Sequence, residues 1–331
     1  MARQPSIAFT YDLRGAPVLS GPGGFDDAEF DELETVEAIT AALEDLGYRC
    51  LPVGSLPALA ERLVHGERWD AVFNISEGFY GSGREAAVPA LLDQWRIPYT
   101  FSGPLSMCIC LHKPTAKRLL RDAGVPTAAF TVVHLPDEVD AVDLQYPLFV
   151  KPVAEGTAKG VTPASLVTGA KQLRETCTQL LKRYGQPVLV ERYLPGPEYT
   201  VGVLGAGVST CAIGVSQMLY PEQWGAFASE EVRDPAALVM IRQRLLGDTS
   251  LARHIAGMAV ASWRALDCKD AGRIDIRIDG DGNPHVLEVN PLPGLHIGLS
   301  YLPVQWELTG RPFRSLIAAI MTGVEQRILA R

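Results

Sequence analysis

The residues best suited to chemistry in this 331-residue chain lie in Arg273-Ile-Asp275-Ile-Arg277-Ile-Asp279 and the segment after it. Strict alternation in a strand puts the charged side chains on one face and every isoleucine on the other. The return strand carries Glu288 and Asn290, also two apart and so on one face. With Gly280-Asp-Gly-Asn283 as the turn and Asp279 paired with Pro284, Asp275 lies opposite Glu288 and Arg273 opposite Asn290. Directly opposed side chains sit about 4.5–5.5 Å apart at Cβ. Two carboxylates placed so repel each other unless a cation lies between them. With a carboxamide oxygen beside them they form a hard-oxygen set suited to Mg²⁺. A solvated polar face on an edge hairpin, its Asp and Arg simply paired, accounts for the same pattern.

Two lysines could serve a polyanion. Lys151 ends the apolar segment Tyr146-Pro-Leu-Phe-Val-Lys151-Pro, and Lys113 precedes a helix. Cations at strand and helix ends can grip phosphates. Glu155-Gly-Thr-Ala-Lys-Gly160 could lay backbone N–H groups over phosphate oxygens, although such a loop also serves as a plain surface turn. It is not a GxxxxGK[ST] loop, and Gly21-Pro-Gly-Gly24 misses the GxGxxG spacing. No GxSxG elbow or HExxH motif occurs. The histidines at 65, 112, 134, 254, 285 and 296 have no spacing that suggests a metal site, and His296 stands out because it follows the Asn290-Pro-Leu-Pro-Gly294 turn beside the hairpin groups.

Alternating strands and helices must position these groups. Strands are expected over 6–11, 50–53 and 69–75, and helices over 29–46, 56–64 and 86–95. That order implies an α/β fold with a parallel sheet, which binds ligands past the carboxyl ends of its strands. The loop 12–27 and the segment 74–84 both lie there. A second region begins near Gly103, with a helix over 114–123 that puts Lys113 and Lys117 on one face. Strands follow over 146–152, 187–191, 200–204 and 211–215, with a helix over 165–184. A polar segment covers 217–235 and alanine- and leucine-rich helices about 236–266. After the hairpin of 273–278 and 284–289, a helix over 312–329 closes the chain.

Hydrophobic residues at 47% and charged residues at 21% fit a globular protein. A net charge of −8 argues against a nucleic-acid partner. No apolar run is long enough to span a membrane, and the N-terminus is charged too early for a secretion signal. The six cysteines form no CxxC pair, so reduced thiols and a cytoplasmic location are expected.

Several segments, in order, resemble the ATP-grasp superfamily and within it the D-alanine–D-alanine ligase-like branch, over about residues 74–302. They are Ile97-Pro-Tyr-Thr100, His112-Lys113, Phe149-Val-Lys151-Pro with Glu155-Gly-Thr-Ala-Lys-Gly160, Val188-Leu-Val-Glu191-Arg-Tyr-Leu194 with Gly196-Pro-Glu198, Gly272-Arg273-Ile-Asp275, and Leu287-Glu288-Val-Asn290 with Pro293-Gly294. The resemblance implies three lobes: an N-terminal parallel α/β domain over 1–103, a small ATP-grasp lobe over 104–194 and a C-terminal catalytic lobe over 195–331.

It also implies roles. Lys113 and Lys151 hold ATP phosphates beneath a loop carrying Glu155, Gly156, Thr157 and Gly160. Glu191 and the backbone through Arg192, Tyr193 and Leu194 read adenine, and Glu198 the ribose. Asp275, Glu288 and Asn290 bind two Mg²⁺, and Arg273 with Gly294 stabilises the charge that develops in transfer. The family's reaction activates a carboxylate as an acyl phosphate, which an amine then attacks to give an amide.

The ATP residues match the family, whereas the substrate segments 12–31, 74–85 and 295–301 do not. These should converge on one pocket holding Glu77, Arg84, Glu85, His296, Ser300 and Tyr301. Arg84 there would clamp a carboxylate and an acidic residue of the first loop would hold an ammonium group. The expected function is therefore an amide-forming ligase, in specialised metabolism, on small amino acid or peptide substrates other than D-alanine; L-amino-acid and γ-glutamyl ligases fall within this reading. A true D-alanine–D-alanine ligase and a catalytically silent ATP-binding protein are the alternatives. A homodimer fits the branch.

Overall fold

A computed structural model describes residues 3–15, 27–225, 227–230 and 238–330. Most of the loop 12–27, including Gly21 to Gly24, and part of the polar segment 217–235 lie outside the described residues.

Strands β1 (Ser6–Thr10), β2 (Arg49–Gly54) and β3 (Ala71–Asn74) form a parallel sheet in the order β2-β1-β3. Every residue of β1 and β3 is buried, as in sheets covered on both faces. Helix α1 (Leu33–Asp45) packs Ile39 and Leu43 on the Ile7 and Phe9 face. Helices α2 (Leu56–Val64) and α3 (Ala87–Trp95) pack Leu59 and Val88 on the Ala8 and Val72 face.

Beyond Gly103 come α4 (Pro104–Leu111) and α5 (Lys113–Asp122). The second sheet is antiparallel: β4 (Phe130–Val133), β5 (Leu148–Pro152), β6 (Leu166–Val167) and β7 (Val188–Arg192) in the order β4-β7-β5-β6. Helix α6 (Ala170–Tyr184) backs it through Leu173 and Cys177.

The third sheet, also antiparallel, has β8 (Glu198–Leu204), β9 (Cys211–Leu219), β10 (Arg242–Leu245), β11 (Ala271–Ile278) and β12 (Pro284–Asn290) in the order β10-β9-β8-β11-β12. Helix α7 (Ser250–Ala265) buries Ile255 and Trp263 against Ile274 and Ile276. After α8 (Tyr301–Leu308), α9 (Phe313–Leu329) returns to the first sheet and packs Ile320 and Val324 in one core with α1. No helix among the described residues is long and apolar enough to cross a membrane.

The elements depart from the expected ones in four places. The helix expected from 29 begins at Leu33, and Glu29 lies before it in the cavity wall. The helix expected from 165 begins at Ala170, because Thr162 and Ser165 cap each other around a 3₁₀ turn and Leu166–Val167 pairs with β5. The stretch expected as helices over 236–266 contains the strand β10, and its helix begins only after Thr249, whose hydroxyl accepts the Ala252 N–H at 3.1 Å. Composition does not separate a short strand from a helix. The short elements α4, β4 and α8 carry no pattern strong enough to be read from the sequence.

Candidate active site

A cavity of about 400 Å³ opens among the ends of the three sheets. Strand β11 lies inside its sheet between β8 and β12, and β12 forms the sheet's edge. Ile274, Ile276 and Ile278 face α7 and its core, whereas Arg273, Asp275 and Arg277 line the cavity.

Asp275 pairs with Glu288 and Arg273 with Asn290, as the alternation predicts, but by a different route. The turn is one residue longer, with Ile278 rather than Asp279 opposite Pro284, and a bulge at Leu287 restores the register before Glu288. The Thr200 hydroxyl donates to Asp275 Oδ1 at 2.9 Å, and the Asn290 amide to Oδ2 at 3.2 Å. Arg273 also reaches Oδ2 and lies 5.1 Å from the centre of the Tyr301 ring. Burial and the Glu288 charge raise the Asp275 carboxyl above its ordinary pKa, although Arg273 opposes them. Burial raises Glu288 as well, but Lys113, 3.5 Å away, with Lys151 and Arg273 holds it at about 2. Two opposed carboxylates, one short of compensating charge, beside a carboxamide make a donor set that fits Mg²⁺.

The lysines meet at Glu191. Its carboxylate lies 3.1 Å from Lys151 and 2.8 Å from Lys117, and Lys117 also donates to Thr127 at 2.7 Å. Burial works against the Glu191 charge, yet the two ammonium groups hold its pKa at about 2. The side chain expected at adenine thus meets two lysines, and the backbone from Glu191 to Leu194 begins the hinge that links β7 to β8. Glu198, expected at the ribose, accepts the Tyr220 hydroxyl at 2.9 Å and an Arg277 N–H at 3.2 Å. Arg277 also donates to Tyr193 at 3.3 Å. Phe149, stacked 6.3 Å from Tyr193 and edge-on to Phe227 at 5.0 Å, forms an aromatic wall beside the hinge.

The substrate end differs more from expectation. Arg84 is no open carboxylate clamp, and it does not line the cavity. Its fork donates to both Glu29 oxygens at 3.0 and 3.1 Å and to the Ala154 carbonyl at 2.8 Å. Glu29 also takes the Gly156 N–H at 2.7 Å and pairs with Lys159 at 3.2 Å. A Cβ at Gly156 would collide with that carboxylate, so the loop needs glycine there. Gly160 turns from the cavity and gives its N–H to Glu230 at 3.0 Å. The other expected site residues line the cavity: Lys113, Lys151, Glu155, Gly156, Thr157, Glu191 to Leu194, Glu198, Arg273, Asp275, Glu288, Asn290, Gly294, Glu77, Glu85, His296, Ser300 and Tyr301. The Ser300 hydroxyl accepts the His296 N–H at 3.0 Å, and the same oxygen would meet a Cβ at Gly294.

Glu29, Lys117, Arg277 and Tyr220 hold the expected site residues without being among them. Arg277 and Lys117 had a signal, one by strand alternation and the other by its four-residue spacing from Lys113. Glu29 and Tyr220 meet their partners only through tertiary packing.

Burial, with Asp12 beside it, pushes Asp31 up to about 7. Burial and the Glu29 and Glu288 charges push Glu85 to about 7 against the pull of Arg84. Both groups bind protons more tightly folded than unfolded. The stability they contribute is complete below their ordinary pKa values of 3.8 and 4.5 and is lost as pH rises through 7. The unfolding free energy of the ligand-free protein should therefore fall by on the order of several kcal/mol between pH 5 and 8. Denaturant titrations at each pH should show a flatter profile for Asp31→Asn/Glu85→Gln; an equally steep one would place the titration elsewhere.

The family model for the C-terminal region of D-ala D-ala ligases matches residues 119–322. The uncharacterized protein y4sG of Sinorhizobium fredii is 31% identical over 300 residues, covering 88% of this chain and 87% of that protein. The D-alanine–D-alanine ligase of Cupriavidus necator is 30% identical over 268 residues, covering 80% and 78%. The crystal structure of D-alanine–D-alanine ligase from Bacillus anthracis complexed with ATP superposes with a TM-score of 0.74 at 21% identity, over 98% of this chain and 99% of that one. With the matched region covering the hinge, the opposed carboxylates and Arg273, the chain belongs to the D-alanine–D-alanine ligase family of ATP-grasp ligases.

Proposed function

We propose that this protein joins the carboxylate of one amino acid to the amine of another, with ATP supplying the phosphoryl group that activates the carboxylate as an acyl phosphate. What carries the reading is the meeting in one cleft of Lys113 and Lys151 with the opposed Asp275 and Glu288. An anion attacking a polyanion needs its repulsion cancelled, and this cleft concentrates the groups that do so.

In this reading the chain divides into lobes over 1–103, 104–194 and 195–331. Lys113 and Lys151 bind phosphate oxygens, and the loop from Glu155 supplies backbone N–H groups above them. The aromatic wall and the backbone from Glu191 to Leu194 orient the base. Arg273 with Gly294 stabilises the charge that grows as the phosphoryl group and then the amine are transferred. Mg²⁺ held by Asp275, Glu288 and Asn290 would neutralise the phosphate charge.

ADP release over pairs of L- and D-amino acids tests this. Release should require one particular pair and stay at background without it. Release without any amino acid, or with no pair, would favour a protein that binds ATP for another purpose. The names of its relatives favour a second reading, D-alanine–D-alanine ligase. Efficient D-alanyl-D-alanine synthesis by the unmodified protein would establish it. Against it stand the segments 74–85 and 295–301, which depart from that family's substrate motifs.

A further inference from the structure

We propose that the amino-acid end of this cleft takes a diamino acid, a substrate with two ammonium groups such as ornithine or lysine. The inference rests on the reading of the cleft as a ligase site.

Asp31, Glu77 and Glu85 all line the cavity. Among the described residues none of their side chains has a hydrogen-bond or ion-pair partner. The cations at this end are already engaged. Arg14 pairs with Glu32 at 2.7 Å and donates to the Ala28 carbonyl at 3.1 Å, and Arg84 and Lys159 both pair with Glu29. An ordinary zwitterionic amino acid brings one ammonium group, and its carboxylate belongs with Lys113 and Arg273 at the phosphate end. A single ammonium group would leave the remaining carboxyls without a paired cation, in surroundings that favour their protonated forms. Among the described residues no three acidic, His or Cys side chains converge closely enough to hold a metal ion, so the carboxylates suit separate ligand groups.

A second feature is independent of charge. Thr35, 1% exposed, lines the same cavity, and among the described residues its hydroxyl oxygen has no hydrogen-bond partner. A buried unpartnered hydroxyl is costly, and an ammonium N–H in the cavity would satisfy it. Burial, then the charges of Glu85 and Glu29, raise the Glu77 carboxyl well above its ordinary range, a penalty that a bound cation relieves.

Calorimetric binding in the presence of Mg²⁺ and a non-hydrolysable ATP analogue tests the proposal. Both enantiomers of ornithine and lysine should be compared with those of norleucine. One basic amino acid should bind at least about tenfold tighter than norleucine. Glu77→Gln and Glu85→Gln should each reduce that ratio to about threefold or less; a merely structural defect would weaken both ligands alike. Either variant decides the matter should the other fail to fold. Norleucine binding as tightly as the basic amino acids, no binding of either basic amino acid, or an unchanged ratio in the variants would overturn the proposal. Preferential ornithine or lysine binding without ADP release from any pair would instead sink the ligase reading alone. ADP release driven by neutral amino acids, with no basic preference, would sink this inference and leave the ligase reading standing.

Discussion

Asp275→Asn should slow ADP release by about 1,000-fold at ordinary Mg²⁺ while the fold survives. The carboxylate is one of two that face each other across β11 and β12, and its neighbours already show the strain of that arrangement. Burial and Glu288 disfavour its charge, so losing the charge removes repulsion from the resting protein. The Thr200 hydroxyl can still donate to the remaining carbonyl oxygen, and Glu288 still faces Arg273. Thermal unfolding should therefore shift by no more than about 3 °C. Asp279 is the control. By alternation it shares a face with Asp275, yet it lies in the turn, where it accepts the Asn283 N–H at 2.8 Å and contacts His285 at 2.9 Å. Asp279→Asn should leave turnover within about twofold of wild type. Wild-type turnover in Asp275→Asn would take that residue out of the reaction and, with it, the cation site proposed between the strands.

The half of the cleft proposed for the nucleotide could be placed from the sequence because its geometry is local. Two-residue alternation sets the face of Arg273, Asp275 and Arg277, and pairing across a short turn brings Glu288 and Asn290 to it. Even there the agreement has two parts, since the longer turn and the bulge at Leu287 offset each other. The substrate half could not be read so well. Arg84 is followed in sequence by Glu85, but its partner is Glu29, 55 residues earlier, and the two together meet the loop after β5 at Ala154, Gly156 and Lys159. No periodicity relates such positions. Glu191 shows a mixed outcome: its place at the end of a strand was legible, but the direction of its side chain depended on Lys117, brought in by α5.

That side chain yields the largest expected loss of stability. Glu191→Gln removes a carboxylate that pairs with both Lys117 and Lys151, which are 1% and 9% exposed. Two buried ammonium groups would then face each other without that charge, and breaking a buried pair in this way costs about 3–5 kcal/mol. Lys151→Met makes the opposite case. Glu191 keeps Lys117 at 2.8 Å, so stability should change little, while ATP affinity and turnover fall together, by about 100-fold in kcat/KM. The pH dependence separates charge loss from a packing defect. Because Glu191 titrates near 2 folded and near 4.5 when unperturbed, its stabilisation is present above 4.5 and lost as pH falls towards 2. Denaturant titrations should show this acid-side loss in the wild type and a weaker one in Glu191→Gln, with the two proteins converging in stability near pH 2. A gap between them that stays constant from pH 7 to 3 would mean that Glu191 stabilises the lobe by shape, and that the two lysines need no counter-charge from it.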